Sequence, residues 1–585
     1  MSATNLTQHL ERHGLQLADD PHKFRKVIAL RRLIKGSIVI TSRPLCNPVI
    51  FPTHRSQHCE TCFRSKNGTP KEVATKTSSS SSSTTATVAS LSSQSSQQII
   101  DLKRCSSCKK RYYCDTDCST IAWRGWHKWI CADKDNEKED LDYEMLKMVV
   151  MSLERLENGM YKESDDAEVL WGIDGRGTHD SSSKDERETL ALTAYVFSTL
   201  MGHEAVSDPA LLTKFKGIAT QVRDQLTSSS SKFVFKSDGS QGSPPSVSEL
   251  VQYLCRFHCN NFSIHDAQLF TLAEGTFPIG ALFNHSCRPN AIVMYEGKVQ
   301  IVRALEDIEA GEEVCTSYVD NGVQRLERRQ LLREKYFFNC LCPRCEDLDL
   351  PQPPQTSEGN NNNDMSRRNR TGFRILDDLI EGDQDGKDGK KVDGEWLTKQ
   401  FETIILPGAR SLQVAGPSLQ PPSTFTRASF TGYVIHSLVP LIQTGASDRE
   451  YTDRLFEVYN ALQDTPHCIP KPFTTTVMTN ATSFFHTCLE HQSWSLASKI
   501  GTFILALYLM IYPRYHPLVG LHCFTLAKSL WNDVGGGLTS VGLSHEMLKL
   551  ARNILAISHG TQGENGVLVQ EVEDFMKTVE KELGP

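Results

Sequence analysis

The chain lacks a long apolar run. Its longest, Ile500 to Tyr512, holds thirteen residues. A bilayer-spanning helix needs roughly 20, so a buried helix is expected there and no membrane partner. An apolar leader is missing too. The opening "MSATNLTQHLERHG" is polar and charged, which points to a soluble protein of the cytoplasm or nucleus. Neither sign of charge dominates. Sixty-three Lys and Arg stand against 70 Asp and Glu, a net of −7, with a pI near 6.3. Taken whole, the chain carries no nucleic-acid footprint. Apolar residues make up only 39%, because Ser-, Thr- and Asn-rich tracts dilute them. At 585 residues the chain is too long for one core, and three to four domains are expected.

What the sequence has in quantity is cysteine, 18 in all. Disulfides are rare in a reducing compartment, so cysteines clustered with histidine point to metal. Four pairs stand out: Cys59-x2-Cys62, Cys105-x2-Cys108, Cys114-x3-Cys118 and His127-x3-Cys131. Seven thiols and one imidazole suit two tetrahedral zinc sites. A two-residue spacing lets both thiolates of a knuckle reach one ion. A His four residues before a Cys puts both on one face of a helical turn. The alternative, scattered cysteines packed as small hydrophobes, does not produce four such pairs. A third group, Cys340-x-Cys342-x2-Cys345, offers three ligands where a structural zinc wants four. Cys46, Cys255, Cys259, Cys287, Cys315, Cys468, Cys488 and Cys523 are all candidates for the fourth, and spacing alone does not choose.

The stretch "YYCDTDCSTIAWRGWHKWIC" resembles the MYND zinc finger at Tyr113, Cys114, Cys118, Trp123, His127 and Cys131. The resemblance implies cross-braced ligation. Cys59, Cys62, Cys114 and Cys118 would hold one zinc, and Cys105, Cys108, His127 and Cys131 a second. A 42-residue segment with a Ser/Thr/Gln tract separates Cys62 from Cys105. Such a tract cannot bury apolar surface and is expected to be a disordered loop. Residues 101–131 carry seven Lys and Arg against three Asp. A solvated face accounts for that excess, with direct nucleic-acid binding the alternative. Fingers of this family bind proline-rich peptides, so exposed aromatics around Trp123 and Trp126 are expected to form a groove for them.

Further along, "FNHSCRPNA", "GEEVCTSYVD" and Tyr336-x-Phe338-x-Cys340 follow one another in the order of a SET methyltransferase core. "CNNFSI" before "GTFPIGALFNHSC" is similar to the SET-and-MYND lysine methyltransferases. The resemblance implies that Cys287 completes a third, post-SET zinc with Cys340, Cys342 and Cys345. It also implies an activity, S-adenosylmethionine-dependent methylation of a protein lysine, histone or non-histone. Asn284 and His285 would hold the amino-acid end of the cofactor and Phe338 would stack on its adenine. Tyr318 would be the catalytic tyrosine, beside the cofactor, and Phe262 and Tyr336 would wall the lysine channel. Transfer from a sulfonium needs no strong acid, but it needs a neutral amine, and free lysine has a pKa near 10.4. A narrow aromatic channel disfavours the ammonium and holds the nitrogen on axis.

One feature departs from the pattern. Where the family opens its core with a Gly-x-Gly turn, this chain has Phe24-Arg25-Lys26. The following "VIALRRLIKGSIVITSRPL" reads as two strands around a Lys35-Gly36 turn. The departure favours a second reading, a zinc-dependent interaction scaffold with a weakened core. The intact Asn284, His285, Tyr318 and Phe338 favour the enzyme.

The expected fold is a multidomain α+β chain. Residues 1–58 begin the β-rich SET core, and 59–131 form the inserted finger, whose disordered segment covers about 66–100. A helical insert spans 132–259, and the core resumes over 260–346. A linker at 347–369 leads to an all-α, TPR-like domain at 370–585, where "YPRYHPLVGL" again resembles the family. A monomer is expected.

Overall fold

The computed structural model describes residues 3–66, 101–131, 140–157, 183–227, 244–342, 344–345 and 475–584. The Ser-rich segment, the linker at 347–369 and the first part of the C-terminal domain lie outside them.

Helix α1 (Ala3–Arg12) leads into a hairpin of β1 (Leu15–Asp20) and β2 (Phe24–Ala29), with Asp20 opposite Phe24. The Asp20 carboxylate closes the turn by accepting from the amides of His22 and Lys23, both at 2.9 Å. Strand β3 (Ile38–Ser42) follows, then β4 (Val49–Ile50). The two strands expected around Gly36 are there, but they do not pair with each other. β2 pairs with β1, and β3 with a strand near residue 301. The backbone between them is committed elsewhere: Leu33 N donates to Ile308 O at 2.8 Å and Gly36 N to Ala304 O at 2.7 Å. Gly36 sits at φ +80°, and its backbone lies close to Ile557.

The metal-ligand segment holds β5 (Lys103–Arg104), β6 (Tyr112–Tyr113), α2 (Thr116–Ala122) and α3 (Lys128–Ile130). Four helices follow: α4 (Leu141–Glu157), α5 (Ser183–Thr199), α6 (Pro209–Thr227) and α7 (Val247–Asn260). Ser246 and Glu249 close the start of α7 with a reciprocal capping box. The β-rich core resumes with β7 (Asn261–His265), β8 (Thr271–Thr276), β9 (Asn284–His285), β10 (Ala291–Glu296), β11 (Val299–Ala304) and β12 (Cys315–Thr316). Two three-stranded antiparallel sheets result, β10–β11–β3 and β4–β8–β7. Helix α8 (Arg325–Tyr336) closes the core.

Helices α9 (Thr475–Glu490), α10 (Trp494–Ile511), α11 (Pro517–Asn532), α12 (Gly537–Ser558) and α13 (Gly563–Leu583) make up the C-terminal region. The apolar run is buried as expected: Ile500, Ile504 and Leu505 of α10 are fully enclosed. Among the described residues no helix is long and apolar enough to cross a membrane.

Two joints hold these parts together. Arg55, Glu60, Arg111 and Glu144 form a buried four-charge network between β4, the finger and α4. Arg111 bridges Glu60 at 2.8 Å and Glu144 at 2.5 Å, and Arg55 reaches Glu144 at 3.2 Å. Removing one member would strand buried charge, which costs about 3–5 kcal/mol. The second joint docks the C-terminal helices on the β-rich core. His559 Nε2 pairs with Ala267 O at 2.8 Å, and Asn565 donates to Tyr295 O at 3.1 Å.

Candidate metal centres and active site

Three clusters of ligand atoms assemble, each with its atoms within 4.8 Å of one another. They are Cys59, Cys62, Cys114 and Cys118; Cys105, Cys108, His127 and Cys131; and Cys287, Cys340, Cys342 and Cys345. Ligands of the first two alternate along the chain, so the finger is cross-braced. A tetrahedron with Zn–S bonds of about 2.3 Å has sulfur–sulfur edges of about 3.8 Å. Cys62 and Cys114 lie 3.7 Å apart, and Cys105 and Cys131 3.8 Å, so the donor sets fit zinc.

Local structure explains each ligand's place. Asp115 caps α2 by accepting from Cys118 N at 2.7 Å, which sets Cys118 at the start of the helix. A π-helical turn over Trp123–His127 aims His127 Nε2 at Cys108 Sγ, 3.7 Å away, and Cys131 N donates to His127 O one turn on. The expectation that both Trp123 and Trp126 are exposed needs correction. Trp123 is half exposed, but Trp126 is buried. The reason is Lys298, a fully enclosed ammonium 4.5 Å from the centre of the Trp126 ring. Burial holds that lysine down at about 8, and its head group bonds Asn47.

The third centre is drier. Cys287, Cys340 and Cys345 are all buried. Arg328, which the sequence did not single out, is completely enclosed beside them. Its Nε donates to Cys287 Sγ at 3.3 Å and its Nη2 reaches Cys345 Sγ at 3.8 Å. Four thiolates on Zn²⁺ leave a net charge of about −2, and a guanidinium at the sulfurs offsets half of it.

Next to this centre lies the candidate active site. Parallel pairing of β9 with β12 puts Asn284 opposite Cys315 and His285 opposite Thr316. That short ladder brings Tyr318 back onto the Asn-His pair. The amide of Tyr318 donates to His285 Nδ1 at 2.9 Å. A backbone N–H can only donate, so the imidazole proton sits on Nε2, which faces Cys287 Sγ at 3.2 Å. Burial presses the His285 pKa to about 4, keeping the ring neutral. Asn284 donates to Arg25 O at 2.6 Å and to the Glu313 carboxylate at 2.9 Å. Glu313 also takes Lys23 Nζ at 2.5 Å.

The Tyr318 hydroxyl donates to Phe283 O at 2.6 Å, and burial pushes its pKa up. Its ring lies 4.9 Å from Tyr336 and 6.4 Å, edge-on, from Phe338. Burial raises Tyr336 to about 12. Tyr318, Tyr336, Phe338, Asn284 and His285 thus form one site. Phe262 stands apart from that aromatic group, its ring edge-on to Phe277 at 6.1 Å and packed on the β7–β8 cluster.

The Phe24-Arg25-Lys26 stretch enters the same site. Phe24 adopts φ +65°, the left-handed backbone that glycine takes most cheaply, and leaves its ring 77% exposed. The turn shape thus persists without glycine. β2 runs along the segment before β12, with Val314 N donating to Val27 O at 2.9 Å. Arg25 is thereby placed close enough to Tyr318 to be felt electrostatically, and burial lowers its pKa. Among the described residues no carboxylate pairs with that guanidinium. Lys23, Glu313 and Arg328 were not predicted as site residues. Glu313 lies inside the "GEEVCTSYVD" motif, and the other two carry no spacing signal.

The SET domain family model matches residues 25–319. Histone-lysine N-methyltransferase ASHR1 of Arabidopsis thaliana is 22% identical over 565 residues, 95% of this chain and 94% of that protein. N-lysine methyltransferase SMYD2 of Gallus gallus is 27% identical over 334 residues, 57% of this chain and 60% of its own length. The Rattus norvegicus SMYD2 is 28% identical over 355 residues, 59% of this chain and 65% of its own. The alignments thus span less than two thirds of these SMYD2 proteins. The family match begins at Arg25, ends one residue past Tyr318 and covers just over half of the chain, which therefore belongs to the SET-domain family.

Proposed function

We propose that the chain is an S-adenosylmethionine-dependent protein-lysine N-methyltransferase built on three structural zinc ions. The single observation that carries this is the convergence of Asn284, His285, Arg25, Tyr318, Tyr336 and Phe338 on one site between β2, β9 and α8. Similarity to lysine methyltransferases along nearly the whole chain supports it. The finger reads as a MYND insertion, the C-terminal helices as TPR-like, and the location as cytoplasm or nucleus.

The residues present fit the cofactor. Its carboxylate would meet Arg25, a desolvated cation with no carboxylate partner among the described residues, and its adenine would lie against Phe338. When bound, the cofactor supplies an electrophilic sulfonium methyl. The chain does the rest. Asn284 ties the Arg25 backbone to Glu313 and so fixes the hairpin against β9. Neutral His285 holds the Tyr318 amide, which sets the height of the Tyr318 ring. Tyr318 and Tyr336 form an apolar slot in which an ammonium is disfavoured, so the incoming lysine sheds its proton to water before it aligns. The Tyr318 hydroxyl, free to exchange its Phe283 partner for the amine, would orient the lone pair.

The test is calorimetry with S-adenosylmethionine, followed by radiolabel transfer to histones and to a cell extract. Binding with label on lysine is expected. A folded, three-zinc protein that binds no cofactor would refute the proposal and leave the scaffold reading.

A further inference from the structure

The loop that carries Tyr318 is gripped from outside the SET core. Asp320, two residues on, holds the loop's shape: its Oδ1 accepts from Gly322 N at 2.8 Å. The same oxygen accepts from the hydroxyl of Tyr512 at 3.1 Å. Tyr512 is the first residue past α10, in the C-terminal helical region. The contact is tight. A Cβ added at Gly322 would meet the Tyr512 hydroxyl at 2.5 Å, so the loop backbone lies flat against that side chain and tolerates only glycine there. The Tyr512 ring is itself braced, 5.3 Å from Tyr508 and 4.7 Å from His516, and the residue is buried. Other bonds within the loop are local: Ser317 Oγ pairs with Val319 O at 2.7 Å and with Asn321 Oδ1 at 2.8 Å. A second tether runs alongside. Arg344, between two ligands of the third metal centre, lies within 3.4 Å of Cys287 O and 3.3 Å of Ile511 O, the last carbonyl of α10.

We infer that Tyr512 is a positioning residue for Tyr318: through Asp320 and Gly322, the helical region sets the loop from which the catalytic hydroxyl projects. Tyr512 does not touch the reacting atoms. Its hydroxyl is the one polar group by which α10 and the residue after it reach the Tyr318 loop through a side chain of that loop among the described residues. The inference rests on the role proposed for Tyr318. Its structural part, control of the loop, stands or falls without that role.

The test uses the full chain with its zinc. Tyr512→Phe keeps the ring and its two aromatic neighbours and removes only the O–H. Zinc content, cofactor affinity and melting temperature are expected to hold within error. Amide hydrogen exchange over residues 317–323 should speed up, because Gly322 N–H loses the partner that Tyr512 kept in place, while exchange elsewhere stays unchanged. In an active enzyme kcat should fall roughly three- to tenfold, the weight of one net hydrogen bond, with KM for the cofactor unmoved. Asp320→Asn keeps an acceptor oxygen and should retain most of the turnover. Asp320→Ala should lose more than Tyr512→Phe, and the double variant should lose no more than Asp320→Ala alone. Unchanged loop exchange in Tyr512→Phe would overturn the inference, whether or not the wild type transfers methyl groups. A fall in kcat that tracks zinc loss or melting would overturn it as well. Absence of wild-type turnover alongside faster loop exchange would refute the enzymatic proposal and leave the Tyr512 grip standing.

Discussion

The finger and the third metal centre are both cysteine sites, yet they are built in opposite ways. The finger draws its eight ligands from residues 59–131 and leaves Cys62, Cys105, Cys108 and Cys114 half exposed. The third centre reaches back 53 residues from Cys340 to Cys287, buries three of its four thiols and sets a guanidinium against two of them. In the finger a bound metal would organise a local fold. In the core it would close a long loop behind the candidate active site, where His285 links Cys287 to the Tyr318 amide. A metal lost from the finger should therefore cost a surface, and one lost from the core should cost the site.

The largest expected effect tests that difference directly. Metal binding at structural zinc sites, about 10–16 kcal/mol in small domains, is folding energy. Cys287→Ser should drop zinc from three ions to two and abolish the cooperative unfolding of the SET core. Cys105→Ser should also fall to two ions but keep the core transition. Elemental analysis paired with calorimetry reads both, and equal losses of core stability would erase the distinction.

Next in size is Arg328→Met. It keeps volume but strips the buried cation from the sulfurs, leaving a negative centre uncompensated at a cost of about 3–5 kcal/mol. The denaturant midpoint should shift accordingly, and chelator should extract the third zinc faster than the two in the finger. Extraction at the wild-type rate would mean that the guanidinium only packs.

Tyr318→Phe should leave both metal regions intact and cut turnover by about 10²–10³, the usual loss for one preorganised donor, or about 2.7–4 kcal/mol. Asn284→Ala should instead weaken cofactor binding, because it frees the Arg25 hairpin from Glu313. Should both variants match the wild type in binding and labelling, the active-site assignment is wrong.

The smallest effect separates metal from packing. His559 is buried and His516 half-buried where the C-terminal helices meet the core, and desolvation presses each to about 4. Unfolded histidine titrates near 6.5. Both groups thus contribute fully above about pH 6.5, and their contribution is lost as pH falls from there toward 4. By pH 5 that amounts to about 2 kcal/mol each. His559→Gln should flatten this part of the pH–stability curve with zinc content unchanged between pH 7.5 and 6. A curve as steep as the wild type's would assign the acid sensitivity to the thiolates.

Much of this molecule was legible from the chain alone. All twelve candidate metal ligands could be named, eleven from spacing and counting, with the pairing of the finger's eight and the twelfth, Cys287, supplied by resemblance. Spacing sufficed in the finger because a knuckle is a local object: two residues between thiols already place both on one ion. The buried helix at Ile500–Tyr512 was legible because thirteen apolar residues have nowhere else to go. Gaps and misreadings fell where partners are distant. The two strands read around the Lys35-Gly36 turn are there, but which strands they pair with, β1 and β11, was not in the local sequence. Trp126 looked exposed, but Lys298, more than 170 positions away, covers it.

Residue type and spacing by themselves marked out thiol clusters able to hold metal, because ligand chemistry is a property of side chains and their short-range order, while resemblance supplied the aromatic and amide groups proposed for the site. Only the tertiary structure decided how Phe24 keeps a glycine-like turn, that Arg25 enters the candidate site as an unpaired cation among the described residues, that Arg328 lies against the thiols of the third cluster, and that Tyr512 reaches the Tyr318 loop. Those are decisions of burial and long-range contact. A charge is shifted, and a loop is held, by whatever the fold brings within a few ångströms, and no local window of sequence contains that information.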